Sequence, residues 1–229
     1  MHARAAPSLE AHASRADEPR WRAHDLLRIA RPTARLTSGA DAPDWLRAAF
    51  ARTPFVVVRR APAPSGFVAV GVRGATRAQR FGTWVPVADI DAAYSPEDLV
   101  ASEPTGERRT LPAFVALALL RDARSALQDF AWGPTGSAGF ELAAHTATVS
   151  TSSDLDLLIR TPERCDAPAI RALVDVLANA STHAQTRIDA QLDTPAGGVA
   201  LAELAAGKPR VLARAVDGAR VVTDPWGLQ

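Results

Sequence analysis

The run Ser153-Asp154-Leu155-Asp156-Leu157 sets two carboxylates two residues apart among leucines. In a β-strand, residues i and i+2 share a face, so Asp154 and Asp156 project together while Leu155 and Leu157 turn into a core. Carboxylates held side by side repel unless a cation lies between them. Hard divalent cations such as Mg²⁺ fill that place, binding carboxylate oxygens together with substrate phosphates. A second alternating stretch, Thr186–Leu192 (TRIDAQL), directs Ile188, Ala190 and Leu192 one way and Asp189 the other. If this strand lies beside the first, three carboxylates converge. That suits a pair of metals about 3.5–4 Å apart, clamping the attacking and leaving oxygens of a phosphoryl displacement. Asp193 shares the Asp189 face and is its rival as third acid; the strand is expected to end near Thr194–Pro195, which favours Asp189.

Upstream, Gly136-Ser137 opens an apolar segment. A Gly-Ser pair at a helix start offers backbone N–H groups and a hydroxyl to phosphate, and the helix dipole assists. D-x-D alone is common in solvated turns, and GS is commoner still. Their order is more specific: GS and a helix, a buried strand opening with D-x-D, a second helix, then a strand bearing Asp. A further cluster, GVRGATRAQR, carries Arg73, Arg77 and Arg80. Arg77 and Arg80 are three apart and would share a helical face, and Gly71 and Gly74 permit close approach of backbone to ligand. These arginines are candidates to clamp a polyphosphate, against the plainer reading of a solvated face. Arg59 and Arg60 end a strand and are read as surface residues. His24, His145 and His183 have no metal partners at ligand spacing, and Trp132 is read as core packing.

The elements that must position these groups follow from periodicity. Strands are expected at Phe55–Arg60 and Phe67–Arg73, joined by the turn-forming APAPSG. Gly74–Trp84 is read as a short helix or ordered loop, and Ser95–Arg109 as a linker. A helix is expected over 111–128 after Thr110 as N-cap, another at Gly136, and a buried strand at Asp154–Arg160. Asp166 with Pro168 opens a helix in which Ile170, Leu173, Val174 and Leu177 fall at i, i+3, i+4, i+7. A short helix near 199–206 and a hairpin around Asp217–Gly218 complete the chain. Interleaved strands and helices give an α/β (α+β) protein. The expected division is a disordered tail at 1–20, an N-terminal α/β domain at 21–109 and a catalytic domain at 110–229.

Composition bounds the function. At 229 residues with 22% charged and 47% hydrophobic, the chain can bury one large core or two small ones. A single cysteine, Cys165, excludes an intrachain disulfide and fits a reducing cytoplasm. The N-terminus lacks an apolar signal region, and the longest apolar run, Leu111–Leu120, is far short of the ~20 residues of a membrane span. The formal net charge is +1, yet residues 1–80 hold fourteen arginines against six acids, while the acids dominate thereafter. No aromatic–basic interleaving of the kind used by single-strand binders is present, so a nucleic-acid partner is not expected.

Gly136-Ser137, Asp154-Leu155-Asp156 and Arg187-Ile188-Asp189-Ala190 together resemble the nucleotidyltransferase fold shared with polymerase β and aminoglycoside nucleotidyltransferases. Longer stretches extend the resemblance over about residues 22–228. They are HDLL (His24–Leu27), VVVRRA (Val56–Ala61), VAVGVRGATRAQRF (Val68–Phe81), WGPTGSAGFELA (Trp132–Ala143), SDLDLLIR (Ser153–Arg160), DAQLDTPAGGVALAE (Asp189–Glu203) and DPWG (Asp224–Gly227). On these the chain is similar to the phosphoribosyl-dephospho-CoA transferases of malonate decarboxylase, also called its holo-acyl-carrier-protein synthases. The resemblance implies transfer of 2′-(5″-triphosphoribosyl)-3′-dephospho-CoA to a serine of the decarboxylase acyl-carrier subunit, with loss of pyrophosphate. It implies Mg²⁺ on Asp154 and Asp156, with Asp189 completing the metal site or accepting the serine proton. Gly136 and Ser137 would then cradle the β- and γ-phosphates. The residues themselves support metal-assisted nucleotidyl transfer, which leaves adenylyl transfer to another acceptor as an alternative. A non-catalytic carrier-binding module is a third reading, disfavoured by the three intact acids.

Overall fold

The computed structural model describes residues 20–30, 42–76, 78–122 and 126–227. The expected N-terminal tail lies almost wholly outside them. The chain divides into two compact units, one through Tyr94 and the other from Ser95 onward.

The first unit is a five-stranded antiparallel sheet, ordered β4-β3-β2-β1-β5. Its strands are β1 (Leu26–Ile29), β2 (Phe55–Val58), β3 (Phe67–Arg73), β4 (Arg80–Pro86) and β5 (Ile90–Tyr94). Alternation puts Leu27, Ile29, Val56, Val58, Val70, Val72 and Val85 on one face, where they pack with Leu46, Ala49 and Phe50 of helix α1 (Trp45–Arg52). Of the two readings of Gly74–Trp84, short helix or ordered loop, the described residues show a loop that leads into a strand. Gly74 and Gln79 close a loop by a backbone bond of 2.8 Å, and the Gln79 carboxamide accepts from the Ala75 and Thr76 N–H groups. Arg80 then opens a strand that pairs along the whole of β3. The alternation of Phe81, Thr83 and Val85 outweighs the helical spacing of the arginines once β3 offers a ladder.

The second unit is a six-stranded mixed sheet, ordered β11-β10-β9-β8-β7-β6. These strands are β6 (Trp132–Pro134), β7 (Leu155–Arg160), β8 (Ile188–Thr194), β9 (Gly197–Ala200), β10 (Val211–Ala215) and β11 (Gly218–Val222). Only β7 and β8 are parallel. A parallel pair needs a long crossover, and helix α4 (Ala167–Ala184) supplies it. The Asp166 carboxylate caps that helix by accepting from the Ala169 N–H at 2.8 Å, as its sequence predicts. The remaining helices are α2 (Pro112–Asp122), α3 (Gly136–Ala144) and α5 (Leu201–Ala205). Leu155, Leu157, Leu158, Ile159, Leu173 and Leu192 are all fully buried.

Three expectations shift. The helix expected over 111–128 ends at Asp122, and a 3₁₀ turn occupies Ala126–Asp129. Thr110 closes a 3₁₀ turn rather than capping α2, its hydroxyl donating to the Glu107 carbonyl. Ser95–Arg109 is packed into the second unit. Arg160, only 7% exposed, pairs with Glu97 at 2.8 Å and with Asp193 at 2.7 Å. Arg108 pairs with buried Glu141, whose carboxylate also accepts from the Thr148 and Val149 N–H groups at 2.7 and 2.8 Å. A stretch rich in charge and proline reads as a linker only while its ion-pair partners, 33 and 63 residues away, are unseen.

Candidate active site

The parallel register of β7 and β8 sets Asp156 opposite Asp189. Asp154 directly precedes β7, and a ligand oxygen from each of Asp154, Asp156 and Asp189 lies within 4.8 Å of the others. The three acids singled out from sequence therefore converge. Asp193 does not join them, because it pairs with Arg160 at the other end of the same strands. All three side chains offer only carboxylate oxygen, the donor set of a hard divalent cation.

Gly136 reaches this cluster through β6, which runs antiparallel to β7. The Thr135 N–H donates to the Asp156 carbonyl at 2.8 Å, turning the chain into α3 beside the acid. Gly136 has φ +58, and a Cβ placed there would collide with the Asp156 carboxylate. Glycine is required on both counts. Thr135, the residue before the nine-residue α3, makes no side-chain capping bond. Ser137 is held from its carbonyl, which accepts from the Thr148 hydroxyl at 2.8 Å.

Arg187 was quoted within the sequence motif but given no role there. Its guanidinium lies 2.8 Å from the Asp154 carboxylate and 2.6 Å from that of Asp189. The hydrogen bond to Asp154 and the charge of Asp189 raise its already high pKa. The signal was present: Arg187 is two residues before Asp189 on an alternating stretch, so it shares that face.

In the first unit, Arg73 and Arg80 are direct cross-strand partners, and so are Gly71 and Gly82. Arg59 follows β2 on the same face, and its side chain lies across Gly71 and over Gly82, where a Cβ would strike the guanidinium. Arg80 thus meets Arg73 across a ladder, not on a helix beside Arg77. Arg77 is outside the described residues. Arg59, read as a surface residue, is exposed and is also part of this cationic face. Of the histidines, His24 meets Arg60 at 3.1 Å, His183 meets the Asn179 carbonyl at 2.8 Å, and His145 ends α3 with φ +50. Trp132 is buried in β6. Burial, with the Asp166 charge, pushes the Cys165 thiol up, away from activation.

No helix of the described residues is long and apolar enough to cross a membrane. No solved structure matches the chain. Among curated proteins, a phosphoribosyl-dephospho-CoA transferase of Pseudomonas aeruginosa is 47% identical over 89% of this chain and 92% of its own. Proteins of the same description from Pseudomonas putida (strain W619) and Azotobacter vinelandii are 43% and 44% identical, over 90% and 89% of this chain and 95% and 93% of theirs. Residues 22–96 match the family described as phosphoribosyl-dephospho-CoA transferase MdcG N-terminal domain, and residues 101–225 its C-terminal domain. With the acids and the Gly136 turn lying inside the second match, the chain belongs to the phosphoribosyl-dephospho-CoA transferase family.

Proposed function

We propose that this protein transfers the 2′-(5″-triphosphoribosyl)-3′-dephospho-CoA group to a serine of the malonate decarboxylase acyl-carrier subunit. The observation that carries the reading is the convergence of Asp154, Asp156 and Asp189 beside Gly136, in a chain of this family. The serine Oγ attacks the α-phosphorus, the bond from that phosphorus to the α–β bridging oxygen breaks, and pyrophosphate leaves with that oxygen. Asp154, Asp156 and Asp189 would hold Mg²⁺, as one ion or a pair, and it would supply charge neutralisation at the attacking and leaving oxygens.

The chain's own groups do the rest. Asp154 and Asp156 are fixed relative to each other by the start of β7. Asp189, the most exposed of the three at 46%, would complete the metal site or accept the serine proton. The N–H groups of Gly136 and Ser137 donate to the β- and γ-phosphates at the positive end of α3. Arg73 and Arg80, with Arg77, bind phosphates of the donor, and Arg59 over its glycine floor belongs with them. Guanidinium forks suit phosphate oxygens. Positioning and charge stabilisation dominate the rate enhancement.

The test is mass spectrometry of the apo carrier subunit after incubation with enzyme, Mg²⁺ and the triphosphate donor. The expected result is the mass gain of phosphoribosyl-dephospho-CoA, abolished in Asp154→Ala and Asp156→Ala proteins that keep the native circular dichroism. No gain with the native chain, or near-normal gain with either variant, overturns the reading. ATP in place of the donor, giving an adenylyl mass instead, favours the adenylyl-transfer alternative.

A further inference from the structure

We propose that Arg187 is a displaceable counter-ion that makes metal and polyphosphate bind together rather than separately. The proposal rests on reading Asp154, Asp156 and Asp189 as metal ligands. The guanidinium bridges the Asp154 and Asp189 carboxylates at 2.8 and 2.6 Å. A divalent cation coordinated by both carboxylates needs the space between them. A free cation must therefore break two ion pairs, one of them a charge-assisted hydrogen bond, and settle against a positive neighbour. A cation arriving on a triphosphate meets a different balance. The complex is anionic, and its phosphate oxygens give the guanidinium new acceptors as it leaves the carboxylates.

The local build lets the side chain move while its backbone stays. The Arg187 carbonyl accepts from the Leu155 N–H at 2.9 Å, and the Thr186 hydroxyl donates to the Ser153 carbonyl at 3.0 Å. Both bonds tie the entrance of β8 to that of β7. The Arg187 side chain is 69% exposed, so swinging it costs no core packing. Its charge balances part of the acid cluster when no metal is bound, and passes to the donor when one is. The result is a positive coupling, and linkage requires that it be reciprocal: polyphosphate tightens metal binding by the factor by which metal tightens polyphosphate.

The test uses the full chain and Mn²⁺ as probe, titrated by electron paramagnetic resonance with and without inorganic tripolyphosphate. Native protein is expected to bind Mn²⁺ more tightly with tripolyphosphate than without it, beyond what Mn²⁺–tripolyphosphate complexation in buffer accounts for. Arg187→Gln is expected to bind free Mn²⁺ about three- to tenfold more tightly than native, the scale of two exposed ion pairs. Its coupling factor is expected to fall towards one. Arg187→Lys, which keeps the charge on a shorter side chain and loses the guanidinium fork, should lie between and provides a second reading should the glutamine variant not fold. Free-Mn²⁺ affinity unchanged or weakened in Arg187→Gln, or a coupling factor equal to native, overturns the proposal. Absence of Mn²⁺ binding by all three proteins in both conditions overturns the metal reading beneath it.

Discussion

Replacing Gly136 by alanine adds one methyl group at the point where the phosphate turn meets the acids. Two costs follow from the geometry. The backbone has φ +58, where an L side chain costs about 1–2 kcal/mol. The loss of glycine's freedom in the unfolded chain returns about 0.4–1 kcal/mol. The larger effect is steric, because the new Cβ overlaps the Asp156 carboxylate. Relief requires the acid or the turn to move by about 1 Å, since non-bonded carbon and oxygen sit over 3 Å apart. The turn is tied to β7 by the Thr135–Asp156 backbone bond, so the carboxylate gives way first. Net destabilisation of the fold is about 1–3 kcal/mol. A displacement of that size at a reacting centre costs about a hundredfold in rate. The measurements are the transfer rate to the carrier subunit and the thermal midpoint of the same preparation. A variant that melts a few degrees lower and turns over about a hundredfold more slowly is expected. Transfer within threefold of native would refute both the positioning of Asp156 and the contact between the two motifs.

Other substitutions separate the parts of the molecule. Arg73→Ala or Arg80→Ala should raise KM for the triphosphate donor by about tenfold, the loss of a charge-assisted phosphate contact, with kcat less affected; an unchanged KM would leave these arginines as surface charge. For Glu141, burial pushes the carboxyl up, but the Arg108 hydrogen bond and the Val149 and Thr148 N–H groups hold it below its ordinary value. Its stabilisation is therefore complete above the ordinary carboxylate range and lost as pH falls through the depressed value. Glu141→Gln should lower the midpoint at pH 7 and flatten the acid limb of a melting-temperature profile; a limb as steep as native would assign the acid sensitivity elsewhere. Arg160→Met leaves Glu97 and Asp193 facing each other without their shared cation and should cost about 3–5 kcal/mol, read by urea denaturation, while Mn²⁺ affinity at the acid cluster stays native.

The acids were legible in the sequence because their pattern is local. Strand alternation separates Asp154 and Asp156 from Leu155 and Leu157, and separates Asp189 from Ile188 and Ala190. Asp166 and Pro168 announce α4 in the same local way. What escaped reading depends on partners far along the chain. β4 reads as a short helix or an ordered loop until β3 is present to pair with it. The short β1 and β5 exist as strands because each completes the other's ladder. Ser95–Arg109 resembles a linker until Arg160 and Glu141 are placed beside Glu97 and Arg108. Arg187 lay in plain view, but its contact with Asp154 follows only from the parallel register. That Asp189 and not Asp193 lies with Asp154 and Asp156 likewise depends on which end of β8 meets Arg160.

The two parallel strands β7 and β8 begin among carboxylates and end among staples. At the far end the Thr161 N–H donates to the Asp193 carbonyl at 3.0 Å, the Trp226 indole donates to the Thr161 carbonyl at 2.9 Å, and Arg164 pairs with Asp224. Four buried residues of β7, Leu157–Arg160, separate Asp156 from this clasp. A lineage of variants can therefore explore new donors or acceptors by changing the turns at Thr135–Ser137, Ser150–Ser153 and Gln185–Arg187 without loosening the clasp. It can equally harden or soften the clasp without retuning the reaction. Heat tolerance and substrate choice become separately adjustable traits, written at opposite ends of the same pair of strands.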